Sequence, residues 1–218
     1  MAQNEEEKDM EILNQVTKLL EHTSEYQQLV LKLKPLVESI YPSSETKEFQ
    51  ESLKTLQVRF KRSGERMLIL KEDSKADYDS QLNTLRKAFV FLALFETTVT
   101  NMLNCLVFLL IRNHHDFFVQ LKRKYAETLK DLDESYGLAE KLNFLNLHGF
   151  SFLTENINNP LRNKIAHMDF DIEGKGVIIV KNKKYDLKTE IVKLEAVMLL
   201  TARALGNAGF YNLLKAES

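Results

Sequence analysis

Arg162, Asn163 and His167 crowd into one short stretch, Asn159-Pro160-Leu161-Arg162-Asn163-Lys164-Ile165-Ala166-His167. Their side chains suit phosphodiester chemistry. Arginine offers a planar fork of donors that stays charged, so it can clamp a phosphate and hold the charge of a pentacovalent transition state. Histidine titrates near neutral pH and can move the proton of a ribose 2′-hydroxyl or of a leaving oxygen. Asparagine can orient either partner. The scheme requires no metal and no cofactor. Arg and His on the polar side of a helix are also what a solvated surface looks like, and spacing alone leaves both readings open.

The element that must position them reads as a short helix. Asn159 is placed to cap it, with Pro160 at the first helical position, where the missing N–H costs nothing. Ile157, Leu161, Ile165 and Met168 recur at spacings of four, four and three and make an apolar face. At 100° per residue, Asn163 and His167 then lie one turn apart on the opposite side, with Arg162 flanking them.

Arg162 followed by Asn163, with Ala166 before a His five positions after the Arg, resembles the R-x4-6-H signature of the HEPN superfamily (higher eukaryotes and prokaryotes nucleotide-binding domains). Leu161 and Ile165 fill in the pattern, an apolar helix lies well upstream, and the motif comes late in a helical chain. The resemblance covers residues 80–215. It implies an all-α HEPN-like bundle and a homodimer. In many members it also implies a metal-independent endoribonuclease, here of a toxin or defence type, with an antitoxin or regulatory protein as a further partner. HEPN toxins paired with a minimal nucleotidyltransferase antitoxin often carry Tyr two positions after the His; Asp169 holds that position here.

The composition fits a helical protein. Only seven Gly and three Pro occur among 218 residues, which leaves little loop. The net charge of −1 gives no global attraction to nucleic acid, so RNA contact would need a local patch. Cys105 is the single cysteine, which excludes an internal disulfide or a cysteine-based zinc site and fits a reducing, cytoplasmic compartment. The acidic, polar N-terminus does not read as a signal peptide.

Residues 9–40 predict one long helix with a 4-3 seam of Ile12, Val16, Leu19, Thr23, Tyr26, Val30, Leu33, Val37 and Ile40, kinked or ended early by Pro35. A turn at 41–44 and a second helix over 45–70, seamed by Phe49, Leu53, Leu56 and Phe60, complete a helical hairpin. Residues 1–75 are thus expected as an N-terminal extension, either packed on the core or serving as a docking arm, and residues 76–218 as the HEPN-like domain. Arg59, Lys61, Arg62 and Arg66 read as a solvated face or an RNA-guiding surface. Residues 71–79 read as a linker.

Residues 80–112 predict the most apolar helix. A membrane span is the rival, but Glu96, Asn101 and Asn104 oppose it, and the charge-free run from Thr97 to Ile111 is 15 residues, short of about 20. Its 3-4 seam, Leu82, Leu85, Phe89, Leu92, Glu96, Val99, Leu103, Leu106 and Leu110, is apolar except at Glu96. That carboxylate either sits at the seam edge or faces Arg162 and His167 and helps orient them. Thr100 and Asn104 continue a polar line from it.

His114 and His115 read as a helix end rather than a metal site. Short helices are expected over 117–131 and 135–147, the latter ended by Gly149. After His167 the period turns extended and predicts a small β-hairpin element with two turns, followed by a last helix over 189–215. Lys164, Lys175, Lys181, Lys183 and Lys184 are the candidate RNA-binding cations near the motif, though turn lysines are more often simply solvated. The expected site is therefore Arg162, Asn163, His167 and Glu96 acting on RNA. The alternatives are a non-catalytic HEPN module binding RNA, nucleotide or protein, and a helical adaptor.

Overall fold

A helix that is hydrophobic nearly all round must be enclosed, and the fold is built by enclosing one. The structure is a computed structural model that describes residues 2–40, 47–73, 81–113 and 128–215. The turn at 41–44, most of the linker, the His114-His115 helix end and most of the helix expected over 117–131 lie outside the described residues. The rod consists of α4 (Gln81–Leu94), a π-turn (Phe95–Val99) and α5 (Thr100–Asn113). Around it come α1 (Ala2–Glu21), α2 (Ser24–Glu38), α3 (Lys47–Asp73), α6 (Leu129–Ser135), α7 (Leu138–Leu147), α8 (Ser151–Asn156), α9 (Asn159–Ala166), α10 (Leu187–Asn207) and α11 (Phe210–Lys215). A three-stranded antiparallel meander, β1 (Asp171–Gly174), β2 (Val177–Val180) and β3 (Lys183–Asp186), sits between α9 and α10. Among the described residues the fold is thus mostly helical, with one small sheet of three strands.

Helices α2, α3, α6 and α7 pack on α5, while α9, α10 and β1 pack on α4. Gln81–Arg112 has the length, and an 18-residue window within it the mean hydropathy of 1.6, that would suit a membrane span, yet 72% of that window is buried inside the fold. Its role as the core rod accounts for its hydrophobicity.

The π-turn changes which side chains face inward. Thr97 Oγ1 donates to the Ala93 carbonyl (2.7 Å) and Thr100 Oγ1 to the Phe95 carbonyl (2.9 Å). A π-turn admits an extra residue into the helix, so a 3-4 pattern that reads as continuous swings to another face. Val99, Leu103, Leu106 and Leu110 are buried as expected, but Leu82 and Phe89 of the same expected seam are 57% and 47% exposed. Thr84, Ala88, Phe91 and Leu94 face the core instead.

The helix expected over 9–40 is two helices, broken at His22-Thr23 rather than at Pro35. Thr23 Oγ1 donates to the Leu20 carbonyl (2.8 Å) and accepts the Tyr26 N–H (3.2 Å), ending α1 and capping α2. Pro35 lies on the exposed side of the last part of α2, where one missing N–H does not stop the helix before Glu38. In α1 the inward face is Leu13 and Thr17, one residue off the expected seam; it packs on Val192 and Ala196 of α10 while Ile12 and Leu19 are exposed. Leu29 and Leu33 of α2 and Phe49, Leu53 and Leu56 of α3 join one core cluster with Phe91, Phe108, Phe152 and Leu200, so residues on both sides of position 75 share a core.

Several polar groups drawn into the core meet at one junction. Asp133 of α6 accepts Arg59 from α3 (2.6 Å) and Asn104 from α5 (2.6 Å), and lies 3.7 Å from the buried Lys141 ammonium of α7. Asn104 therefore serves this four-helix junction and not a line from Glu96, and Arg59 is tied into the fold. Lys32 donates to the His148 and Gly149 carbonyls (2.8 and 3.1 Å), capping the C-terminus of α7. Gly149, at φ +78°, ends that helix, and a Cβ there would stand 1.8 Å from the Lys32 amine. The last helix breaks at Gly209 (φ +87°) into α10 and α11.

Lys87 is buried on α4 beside the β1–β2 turn. Burial and then the Lys188 ammonium push its amine down to about 8, against weaker pulls from Asp186 and Asp9. Below that pH the group is charged in both folded and unfolded chains and its penalty is complete. Between about 8 and 10.5 the unfolded chain holds a proton that the folded chain has lost, so this contribution to stability rises with pH. Denaturant titrations of the native protein and Lys87→Met should show the variant ahead at pH 7 and its lead shrinking above pH 8. A lead independent of pH would show that Lys87 carries no such penalty.

Candidate active site

The motif helix α9 is held from both ends. Asn158, not Asn159, is its N-cap: Asn158 Oδ1 accepts the Leu161 N–H (3.2 Å), and Asn158 Nδ2 donates to Glu190 Oε2 of α10 (3.1 Å). The cap is one residue earlier than expected because Ile157 ends the preceding chain segment buried, with Asn158 next in line. Ile157, Leu161 and Ile165 are buried as the spacing requires. Met168 is not part of that face. The helix stops at His167, and the Asp169 N–H bonds the Lys164 carbonyl (2.9 Å) in a Schellman-type turn. Met168 occupies the left-handed position of that turn at φ +55° and is 54% exposed.

α9 packs on α4, and this brings the two distant parts of the site together. Glu96, the second residue of the π-turn, forms a close ion pair with Arg162: Arg162 Nη2 donates to Glu96 Oε1. Arg162 Nη1 donates to Asn163 Oδ1 (2.9 Å). Arg162 Nε is buried without a hydrogen-bond partner. The Arg162 side chain is 23% exposed and that of Glu96 46%, so the pair lies at the surface with its guanidinium sunk below its carboxylate. His167 is exposed and its ring has no partner among the described residues, while its N–H bonds the Asn163 carbonyl (3.1 Å). Asn163 therefore orients Arg162 here, and not His167. The arrangement offers a fixed guanidinium in the middle of α9 and an exposed imidazole at its C-terminus.

The candidate lysines are divided. Lys164 is ion-paired with Asp169, whose carboxyl is held below its usual range by the Lys164 hydrogen bond first, then by the Lys164 charge, with smaller contributions from Lys181 and His167. Lys184 is ion-paired across the sheet with Glu173. Lys181 is exposed in the β2–β3 turn on the Asp169 side, and Lys183 places its amine 5.0 Å from the Tyr185 ring centre. Lys175 lies in the β1–β2 turn, beside Lys87 and away from the motif. The five lysines thus do not form one patch. Of the basic stretch on α3, Lys61 and Arg62 are exposed, and the Arg66 side chain lies outside those described.

Sequence reasoning missed the Asn158–Glu190 bond and the Lys164–Asp169 pair. The second had a local signal, opposite charges five residues apart across a helix end. The first had none, because it joins residues 32 apart in the chain. Comparison with family models, with curated proteins and with solved structures returns no match to this chain. Function is read from the side chains themselves.

A side chain in the left-handed region costs roughly 1–2 kcal/mol, part of which glycine returns through its own unfolded-state entropy. Met168→Gly should therefore stabilise the fold by about 0.5–1 kcal/mol in chemical denaturation. A loss of stability would mean that the exposed thioether makes contacts that outweigh the strain.

Proposed function

We propose that this protein is a metal-independent endoribonuclease of the HEPN type, acting as a homodimer in which two copies of α9 face one cleft. The observation that carries the reading is the linked set Glu96–Arg162–Asn163 on the same exposed surface as an unpartnered His167. His167 takes the proton of the ribose 2′-hydroxyl. The 2′-oxygen attacks the adjoining phosphorus, and the 5′-oxygen leaves with a proton given by the second copy's His167. Arg162 holds the equatorial oxygens of the phosphorane. The products are a 2′,3′-cyclic phosphate and a 5′-hydroxyl, and no divalent cation takes part.

A single Arg and a single His make a thin site, and a two-fold axis would double them. Leu82, Phe89 and Glu96 recur every seven residues on the outward side of the rod, and exposed apolar residues beside the site support burial against a second copy. The alternative is a non-catalytic module that binds RNA. It is favoured by one observation, that no described side chain fixes the His167 tautomer.

Purified protein incubated with a long unstructured RNA in EDTA should cut it, leave cyclic phosphate ends, and spare RNA methylated at the 2′-oxygens. His167→Ala should lose about 10²–10⁴-fold in rate while retaining RNA. Glu96→Leu should reduce cleavage without unfolding the protein. RNA held by the native protein but never cut would establish the binding module instead. Cleavage that EDTA abolishes would overturn the mechanism, and light scattering that gives a strict monomer at micromolar concentration would overturn the shared cleft.

A further inference from the structure

A groove of about 470 Å³ opens between residues 154–160, where α8 turns into α9, and residues 183–193, where β3 turns into α10. That volume lies in the range of small-molecule and nucleotide pockets. Pro160 forms part of its wall. Pro160, Asn163 and His167 follow one another at spacings of three and four, so they share a face of α9. Seven residues of helix advance about 10 Å. The groove is therefore the far end of the surface on which His167 sits.

Three of the six charged side chains in the groove are committed. Lys184 is paired with Glu173, Glu190 accepts from Asn158 (3.1 Å), and Asp186 caps α10 by accepting the Lys188 N–H (2.9 Å) and the Thr189 hydroxyl (2.9 Å). Lys193 has no partner among the described residues, and Lys183 touches only the half-buried Tyr185 ring. Glu155 is the one carboxylate of the groove left unpaired among the described residues. Two uncommitted ammonium groups, an aromatic ring and the Asn156 and Asn158 amides thus line one cleft.

We infer that this groove holds a nucleotide flanking the scissile phosphate, with the Tyr185 ring stacking on the base and Lys183 and Lys193 taking the adjoining phosphate. The base takes the ring face that Lys183 covers here, and the ammonium turns to the phosphate. Glu155 lines the same groove and would set a preference among bases through its carboxylate, whereas Asn158 is held by the Leu161 N–H and Glu190 and Asn156 by the Phe152 carbonyl. The inference rests on the ribonuclease reading for the identity of the strand, but its test reads binding and not cleavage.

The probe is a fluorescein-labelled single-stranded RNA decamer, 2′-O-methylated throughout so that it stays intact, titrated into full-length protein. Tyr185→Ala should weaken binding about 5–150-fold, the range for loss of one base–aromatic stack, and Tyr185→Phe should bind as the native protein does. Lys193→Ala removes no core side chain and should lower the slope of log K against log salt by about 0.7. Native affinity in both Tyr185→Ala and Lys193→Ala, with binding lost in Arg162→Ala, would overturn the groove and leave the ribonuclease reading standing. Binding with the expected losses, alongside intact unmodified RNA in a parallel cleavage assay, would support the groove and overturn the ribonuclease reading. Failure of the native protein to bind the decamer would overturn the groove.

Discussion

The rod from Gln81 to Asn113 sets the terms for the rest of the molecule. From Met102 to Ile111 every side chain is buried, and each large apolar residue taken from water contributes on the order of 1.5–3 kcal/mol. Over Met102–Ile111 the rod has no solvent side, so neighbours cover it there on all sides, whereas Leu82, Phe89 and Glu96 leave an outward face on its first half. Short helices are well suited to this, because each covers one sector and then turns away. Even the three-stranded meander is used in this way: Ile178 of β2 is fully buried and the Gly176 N–H donates to Thr84 of α4 (3.0 Å).

Enclosure also explains where the polar side chains go. Asn104 lies in the middle of the rod and cannot reach water, so a partner had to be brought to it. Asp133 serves that role and uses its second oxygen for Arg59, which ties the N-terminal helices to the centre. Burial holds the nearby Lys141 amine below its usual range, with Asp133 opposing the shift. Polar atoms with this many partners specify one packing over its near neighbours. The paired charges therefore lock α3, α5, α6 and α7 in one register.

Much of this was readable in the chain, and the misreadings have physical causes. Apolar periodicity located the helices and the extended segment after His167, because burial acts on local spacing. Ile157, Leu161 and Ile165 read correctly for that reason. The pattern did not reveal the π-turn, since an extra residue in one turn leaves a 3-4 spacing looking unbroken while rotating the helix beyond it. Leu82 and Phe89 were therefore expected inside and lie outside. The break at Thr23 was hidden in another way: Pro35 was the louder signal, but a proline late in a helix removes one bond, whereas Thr23 satisfies two helix ends at once. At the site, the pairing of Glu96 with Arg162 had a hint in the lone carboxylate of an apolar seam. The commitment of Lys164 to Asp169 and of Lys184 to Glu173 outweighed the simple count of lysines.

Those commitments decide what kind of binding the surface can support. Glu96 offsets the charge of Arg162, Asp169 that of Lys164 and Glu173 that of Lys184. On a chain of net charge −1, little long-range field is left to draw in a polyanion. Affinity for a nucleic acid would then come from short-range contacts, from stacking and from donors already aimed. Arg162 is suited to that role. A guanidinium has five N–H groups; the ion pair with Glu96 uses one on Nη2 and the bond to Asn163 uses one on Nη1, while Nε is buried. One N–H on each Nη is left over. Glu96 and Asn163 thus fix the plane of the guanidinium and leave two of its donors uncommitted. A lysine paired with Glu96 would keep its charge but lose this geometry, since an ammonium has no plane for its neighbours to hold.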